Sequence, residues 1–152
     1  MKIVAFLQNP WFRPGTDQRL IDLYRTNQEF HRRVLRLSAT GKALYNAFGP
    51  KLYSEIHWDN ANPRSGSTRD TKYPPDMVHM ENVIVAQNPD VLLLFGRQAQ
   101  DGIDRILHES FLKYTFGYVV FRAPHPMARG SAVRHLEQIV RDLRSFLAQK
   151  KC

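Results

Sequence analysis

The chain has 152 residues, which suits one domain with a real hydrophobic core. It carries 22 Lys+Arg against 14 Asp+Glu, a formal charge of +8, and most of the cations are arginine. The planar guanidinium fork suits phosphate better than a lysine point charge, so the balance favours nucleic acid or an anionic membrane surface, with plain solubility charge as the alternative.

No apolar run approaches the roughly 20 residues that span a bilayer. The beginning of the chain lacks the small-residue cleavage site of a signal peptide. A single cysteine, Cys152, excludes an internal disulfide, a cysteine zinc site and an iron–sulfur centre. A cytoplasmic protein is therefore expected, nucleoid-associated if bacterial.

Taken in order, Lys2 to Leu7 reads as a short buried strand that stops at Gln8-Asn9-Pro10-Trp11-Phe12. Thr16-Asp17 caps a helix predicted from about Gln18 to Leu37, with Leu20, Leu23, Tyr24, Phe30, Val34 and Leu37 roughly on one face. His31 in this helix reads as a surface residue. A shorter helix covers Lys42 to Ala47 and closes at Gly49-Pro50. Glu55 to Asp59 is the second strand, leading through Asn60-Ala61-Asn62 into a long polar loop from Pro63 to Pro75.

Asp76 to Gln87 reads as a helix, and Asp90 to Phe95 as the clearest strand of the chain. Gly96-Arg97 turns that strand into a helix through about Leu107. Tyr118 to Phe121 is the fourth strand, stopped by Ala123-Pro124-His125-Pro126. An amphipathic helix from Ala132 to Leu147 follows. Strands alternating with helices indicate a single α/β domain over 1–152, a three-layer α/β/α sandwich with a four-stranded parallel sheet.

In such a sheet, ligands bind at the carboxyl ends of the strands. Those ends carry Gln8, Asn9, Asn60, Asn62, His125 and the aromatic pair Trp11 and Phe12. Amides present donors and acceptors together, which suits the edge of a nucleobase. Aromatic rings offer it a stacking face, and a histidine stabilises charge on a departing group. Each residue also has a plainer role: Asn-Pro is a common turn former, Trp11 and Phe12 suit a core, and Asp59 is a loop cap or a general base. No G-x-S-x-G elbow, phosphate-binding glycine loop or metal-ligand spacing is present.

These segments resemble the uracil-DNA glycosylase superfamily over nearly the whole chain. Its first motif is G-Q-D-P-Y-H in one family and G-x-N-P-G in the mismatch-specific and single-strand-selective families; Leu7-Gln8-Asn9-Pro10-Trp11-Phe12 is a hybrid of the two. Its last motif, H-P-S-P-L or H-P-S-P-R, is similar to His125-Pro126-Met127-Ala128-Arg129, with Met127 at the serine position. Val91-Leu92-Leu93-Leu94-Phe95-Gly96-Arg97-Gln98-Ala99 and Thr40-Gly41-Lys42-Ala43-Leu44 resemble its G-[KR]-x-A and G-K-x-L segments.

The resemblance implies roles. Asn9 positions the attacking water, and His125 donates to the uracil carbonyl as the bond breaks. Asn60 pairs with the uracil edge. Trp11 replaces the tyrosine that blocks the thymine methyl, and Gln8, Pro10 and Phe12 complete the base pocket. Arg129 takes the wedge position, with Met127, Gly130 and Arg13 beside it on DNA. The stacking aromatic has no counterpart near Arg36-Leu37-Ser38, leaving Phe12, Trp11 and Phe48 as alternatives.

The expected activity is therefore a monofunctional glycosylase that flips uracil out of DNA and hydrolyses its N-glycosidic bond. The protein would act as a monomer, without metal or cofactor. Excision of hypoxanthine, xanthine or a mismatched base, a non-catalytic DNA-binding protein and an enzyme of free nucleosides are the alternatives.

Overall fold

The computed structural model describes residues 1–68, 71–109, 117–128, 130 and 132–151. Strand β1 (Ile3–Leu7) is followed by helices α1 (Gln18–Thr26), α2 (Gln28–Leu35), α3 (Ala39–Phe48) and α4 (Pro50–Glu55). Then come β2 (Ile56–Asn60), α5 (Met77–Gln87), β3 (Val91–Phe95), α6 (Arg97–Glu109), β4 (Val119–Ala123) and α7 (Ala132–Lys150). The strands form one four-stranded parallel sheet in the order β2-β1-β3-β4. The expected three-layer α/β/α fold is what the chain adopts.

Parallel strands are covered on both faces, and the sequence obeys that demand. All five residues of β1 and all five of β3 are buried. On one face Ile3, Ala5, Leu7, Trp58, Leu93 and Phe95 pack against Leu44 and Phe48 of α3, Tyr53 of α4 and Leu136 to Leu143 of α7. On the other, Val4, Phe6, Leu92 and Leu94 meet Met80 and Ile84 of α5 and Ile103 and Ile106 of α6. Alternation along β2 sends Ile56, Trp58 and Asn60 to the first face; His57 and Asp59, in register with Val4 and Phe6, go to the second.

The long first helix expected from Gln18 to Leu37 is two helices. Asn27 breaks it with an extended backbone (φ −122°, ψ 111°). Its N–H donates to Leu23 O at 2.9 Å, and its side chain accepts from Phe30 N at 2.9 Å. One asparagine therefore closes α1 and caps α2, a role for which its short amide is well suited. The break leaves Leu20 and Leu23 exposed while burying Tyr24 and His31, so the surface placement expected for His31 is wrong. Gly49 closes α3 as expected, its N–H donating to Tyr45 O at 2.9 Å, and at φ +80° it also starts α4, with Pro50 at that helix's first position.

Part of the arginine excess is structural. Arg32 donates to Ile56 O (3.3 Å), Arg144 to Phe48 O (2.9 Å) and Arg25 to Pro63 O (3.3 Å), and the Arg36 guanidinium lies 3.7 Å from the centre of the Tyr45 ring. These cations serve backbone carbonyls and a ring.

Two glycines permit the closest helix contacts. A Cβ on Gly41 would stand 1.7 Å from Leu35 O, a backbone atom. A Cβ on Gly102 would stand 2.5 Å from Met80 Sδ, the far end of a flexible side chain. Gly41→Ala is expected to lose roughly 3 kcal/mol or more, because helix α3 must move away from the end of α2; Gly102→Ala should cost about 1–2 kcal/mol. Urea denaturation midpoints of the two variants check the order.

Candidate active site

The chain leaves β1 for β2 on one side and then crosses to β3 on the other, so a topological switch point lies at the end of β1. Pairing continues beyond the strands there. Ala61 N donates to Leu7 O (2.7 Å), Asn62 N to Gln8 O (3.1 Å) and Gly66 N to Pro10 O (3.0 Å). Gly96, at φ +90°, lets the end of β3 pass close to the same turn; a Cβ on it would stand 3.3 Å from Gln8 Nε2 and 3.4 Å from the His125 Cβ.

These contacts enclose a cavity of about 550 Å³. Gln8, Asn9, Pro10, Trp11 and Phe12 line it from the first turn, Asn60 from β2, and His125 and Met127 from the last turn. Residues more than a hundred positions apart thus meet over one space, as the strand ends suggested. Tyr24, Val34, Leu35 and the segment from Leu37 to Thr40 complete the wall. An adjoining groove of about 1040 Å³ shares Gln8, His125 and Met127 and adds Lys72, Arg97, Arg122 and His135. Arg122 is paired with Asp104 at 2.6 Å.

His125 is held in one tautomer. Its Nδ1 accepts from Met127 N at 3.2 Å, so the ring proton sits on Nε2. Burial, with Lys72 nearby, pushes the imidazole down to about 4. At neutral pH it is an uncharged donor, Nε2–H, without a partner among the described residues. Asn60 is 5% exposed, and its Nδ2 donates to Tyr24 Oη at 3.4 Å. Its Oδ1 has no donor among the described residues and can accept from a ligand.

Asn9 is more heavily engaged than its turn position suggests. Nδ2 donates to Thr71 O (3.1 Å) and Pro10 O (3.3 Å), and Oδ1 accepts from Tyr73 N (3.0 Å). Phe12 N donates to Ser65 Oγ at 3.2 Å. The polar loop after Pro63 is therefore docked on the first turn, with the Asn9 amide as its pin. One lone pair of Oδ1 is left for a ligand or water.

Of the stacking alternatives, Phe48 is fully buried in the core and away from the cavity. Trp11 and Phe12 do line it, and Trp11 Nε1 is buried without a partner among the described residues. The aromatic that residue patterns missed is Tyr24. Phe12 meets its ring edge-on (centroids 5.1 Å apart), and His31 stacks on it at 4.0 Å. Nothing in the sequence separated Tyr24 from the apolar face of a long helix; the break at Asn27 does.

Asp59 points to the opposite face of the sheet. His79 Nε2 lies 2.8 Å and His57 Nε2 3.4 Å from its carboxylate. Burial alone would raise this carboxyl, but the hydrogen bonds from the two histidines outweigh it and hold the group well below the usual carboxylate range. The bond to Asp59 raises His79 in turn. Asp59 also accepts from Asn60 N at 2.8 Å, so it anchors the reading strand from behind rather than acting as a base in the cavity.

Met127 is 51% exposed at the cavity rim, Gly130 is exposed at φ +85°, and Arg13 is exposed beyond the first turn. Arg129, the expected wedge, lies outside the described residues. Among the described residues there is no group of three or more acidic, histidine or cysteine side chains able to hold a metal, and no helix long and apolar enough to cross a membrane. No protein-family model, curated protein or solved structure matches the chain.

Two outcomes follow for the pinned loop and the buried imidazole. Asn9→Ala removes both bonds to the 71–73 segment, so limited proteolysis should cut the loop faster, with about 1–2 kcal/mol of stability lost. His31 is 3% exposed, and burial lowers it from 6.5 to about 4. A lowered histidine contributes full stability above its unfolded value and loses it as pH falls through the window from 6.5 to about 4. The Asp59–His79 pair is at full strength between about pH 4 and pH 6.5 and does not offset this. Urea titrations should show the protein losing roughly 2 kcal/mol from His31 between about pH 6.5 and pH 4.5. His31→Phe, which keeps the stack on Tyr24, should flatten that slope.

Proposed function

We propose that the protein is a monofunctional DNA glycosylase that excises uracil by base flipping and hydrolysis of the N-glycosidic bond, acting as a monomer in base excision repair. The observation that carries this reading is the cavity itself. It gathers three amides, an uncharged imidazole of fixed tautomer and several aromatic rings at the switch point of a parallel sheet, with no charged side chain on its wall among the described residues. Such a wall suits a neutral, planar heterocycle with alternating donors and acceptors. The motif resemblance points to the same ligand.

In this mechanism a uracil leaves the stack and enters the cavity. The C1′–N1 bond breaks heterolytically, its electron pair going to the base. His125 donates Nε2–H to the carbonyl beside the breaking bond and stabilises the anion without having to lose a charge of its own. Water held by the remaining lone pair of Asn9 Oδ1 adds to C1′, and its proton passes to the departing base. An amide is a poor base, so the route is dissociative, with positioning and anion stabilisation supplying the acceleration. Asn60 reads the edge of the base, and Trp11 and Phe12 enclose its ring. Arg13, Met127 and Gly130, with Arg129, hold the flanking DNA, so affinity falls with salt.

A second reading, a DNA-binding protein that releases no base, is favoured by the commitment of the Asn9 amide to the 71–73 segment. One assay separates the two. Oligonucleotides with a single uracil, single- and double-stranded, are incubated with the protein and treated with alkali. Strand cleavage is expected, slowed about 10²–10³-fold by His125→Ala. Salt-sensitive binding with no cleavage of either substrate at high protein concentration would establish the second reading. A parallel substrate carrying hypoxanthine or xanthine tests the choice of base.

A further inference from the structure

Outside the aromatic residues of the core, the buried side chains among the described residues that carry a polar group are His31 and Asn60, and both touch the buried Tyr24. His31 stacks on its ring and places Nδ1 3.2 Å from Tyr24 O. Asn60 Nδ2 donates to its hydroxyl. Phe12 closes on the ring edge from the first turn. The phenol is thereby fixed from three sides, and it lines the cavity.

The direction of the Asn60 bond decides what the hydroxyl can still do. A phenolic oxygen that accepts from Asn60 uses its lone pair there, and the O–H hydrogen finds no acceptor among the described residues. Accepting one bond also polarises the group as a donor. Burial pushes the phenol above its ordinary value, so the proton stays in place at physiological pH.

We propose that the Tyr24 hydroxyl is a second reading group of the cavity, donating beside Asn60 to a keto oxygen of the bound base and rejecting an exocyclic amine at that position. This rests on the base-excision reading above. Both groups can reach one oxygen: two donors about 2.9 Å from a carbonyl oxygen stand roughly 5 Å apart along its lone-pair directions, and closer within the broad distribution that such contacts show. Asn60 Nδ2 and Tyr24 Oη are 3.4 Å apart. The second hydrogen of Nδ2 and the hydroxyl hydrogen converge on the 4-oxygen of uracil, while Asn60 Oδ1 accepts from N3–H. Cytosine presents an amine in place of that oxygen and would face two donors with a donor. Tyr24 is thus a specificity residue remote from the breaking bond, which His125 serves.

The test crosses one substitution with one atom of the substrate. Tyr24→Phe keeps the ring and its contacts with Phe12 and His31 but removes the hydroxyl. Single-stranded oligonucleotides carry uracil or 4-thiouracil, whose sulfur is a weak acceptor at the same place. Single-turnover release from uracil should fall about tenfold or more in Tyr24→Phe. Replacing oxygen by sulfur should slow the wild type about tenfold more than it slows the variant. An equal sulfur penalty in the two proteins overturns the proposal, because a purely structural role lowers both rates alike. The wild-type ratio is a check that needs no variant: equal release of uracil and 4-thiouracil overturns the proposal as well. Failure of the wild type to release uracil at all instead overturns the base-excision reading on which the proposal stands.

Discussion

Strand β1 is hydrogen-bonded along both edges and covered on both faces, and this confinement governs where chemistry is possible in the molecule. A polar side chain within Ile3–Leu7 would be stranded without water or partner. Polar groups therefore enter only where pairing on one edge ends, at Gln8 and Asn9. The carboxyl ends of β2 and β4 close around that point because the register of the sheet brings Leu7 beside Asn60 and the end of β3 beside Ala123. The cavity is the first place along the central strand where the backbone can turn and carry something other than hydrocarbon.

Among the described residues, the cavity wall is polar without being charged. Its wall offers amide, imidazole and phenol groups, each either uncharged by nature or kept so by burial. The nearest ion pairs are turned away, Arg122 to Asp104 and Asp59 to the histidines behind β2. A neutral ligand gains directional hydrogen bonds there without competing counter-charges. A charge that develops during reaction meets a fixed donor in low-dielectric surroundings, where such a dipole is most effective. The adjoining groove is charged instead: Lys72 and Arg97 line it together with Asp101 and the Arg122–Asp104 pair, and in the proposed function the Lys72 and Arg97 cations would meet the phosphates beside a flipped nucleotide.

The sheet and its order of elements were legible because buried parallel strands must be short apolar runs, and Val91–Phe95 and Ile3–Leu7 are as plain as such runs become. The meeting of Asn9, Asn60 and His125 was legible for the same reason, since strand ends in this architecture share one edge. Three features were not. The break at Asn27 hides inside a helical period that does not change across it, because an asparagine cap depends on backbone angles that a pattern of apolar residues does not encode. Tyr24 and His31 were consequently read as one continuous helical face. The commitment of the Asn9 amide depends on a loop folding back from more than sixty residues away, a contact with no local signal.

The pin between Asn9 and that loop also limits which sequences this turn can accept over evolutionary time. Nδ2 donates to the carbonyl of Thr71 while Oδ1 accepts from the N–H of Tyr73. A carboxylate has no hydrogen to donate and would set a negative charge against the Thr71 carbonyl. The change that would install a stronger base at position 9 would also undo the docking of the loop that walls the cavity. Basicity and architecture are thus linked through one side chain, and a lineage carrying this loop is held to the weaker amide unless the 71–73 segment changes with it.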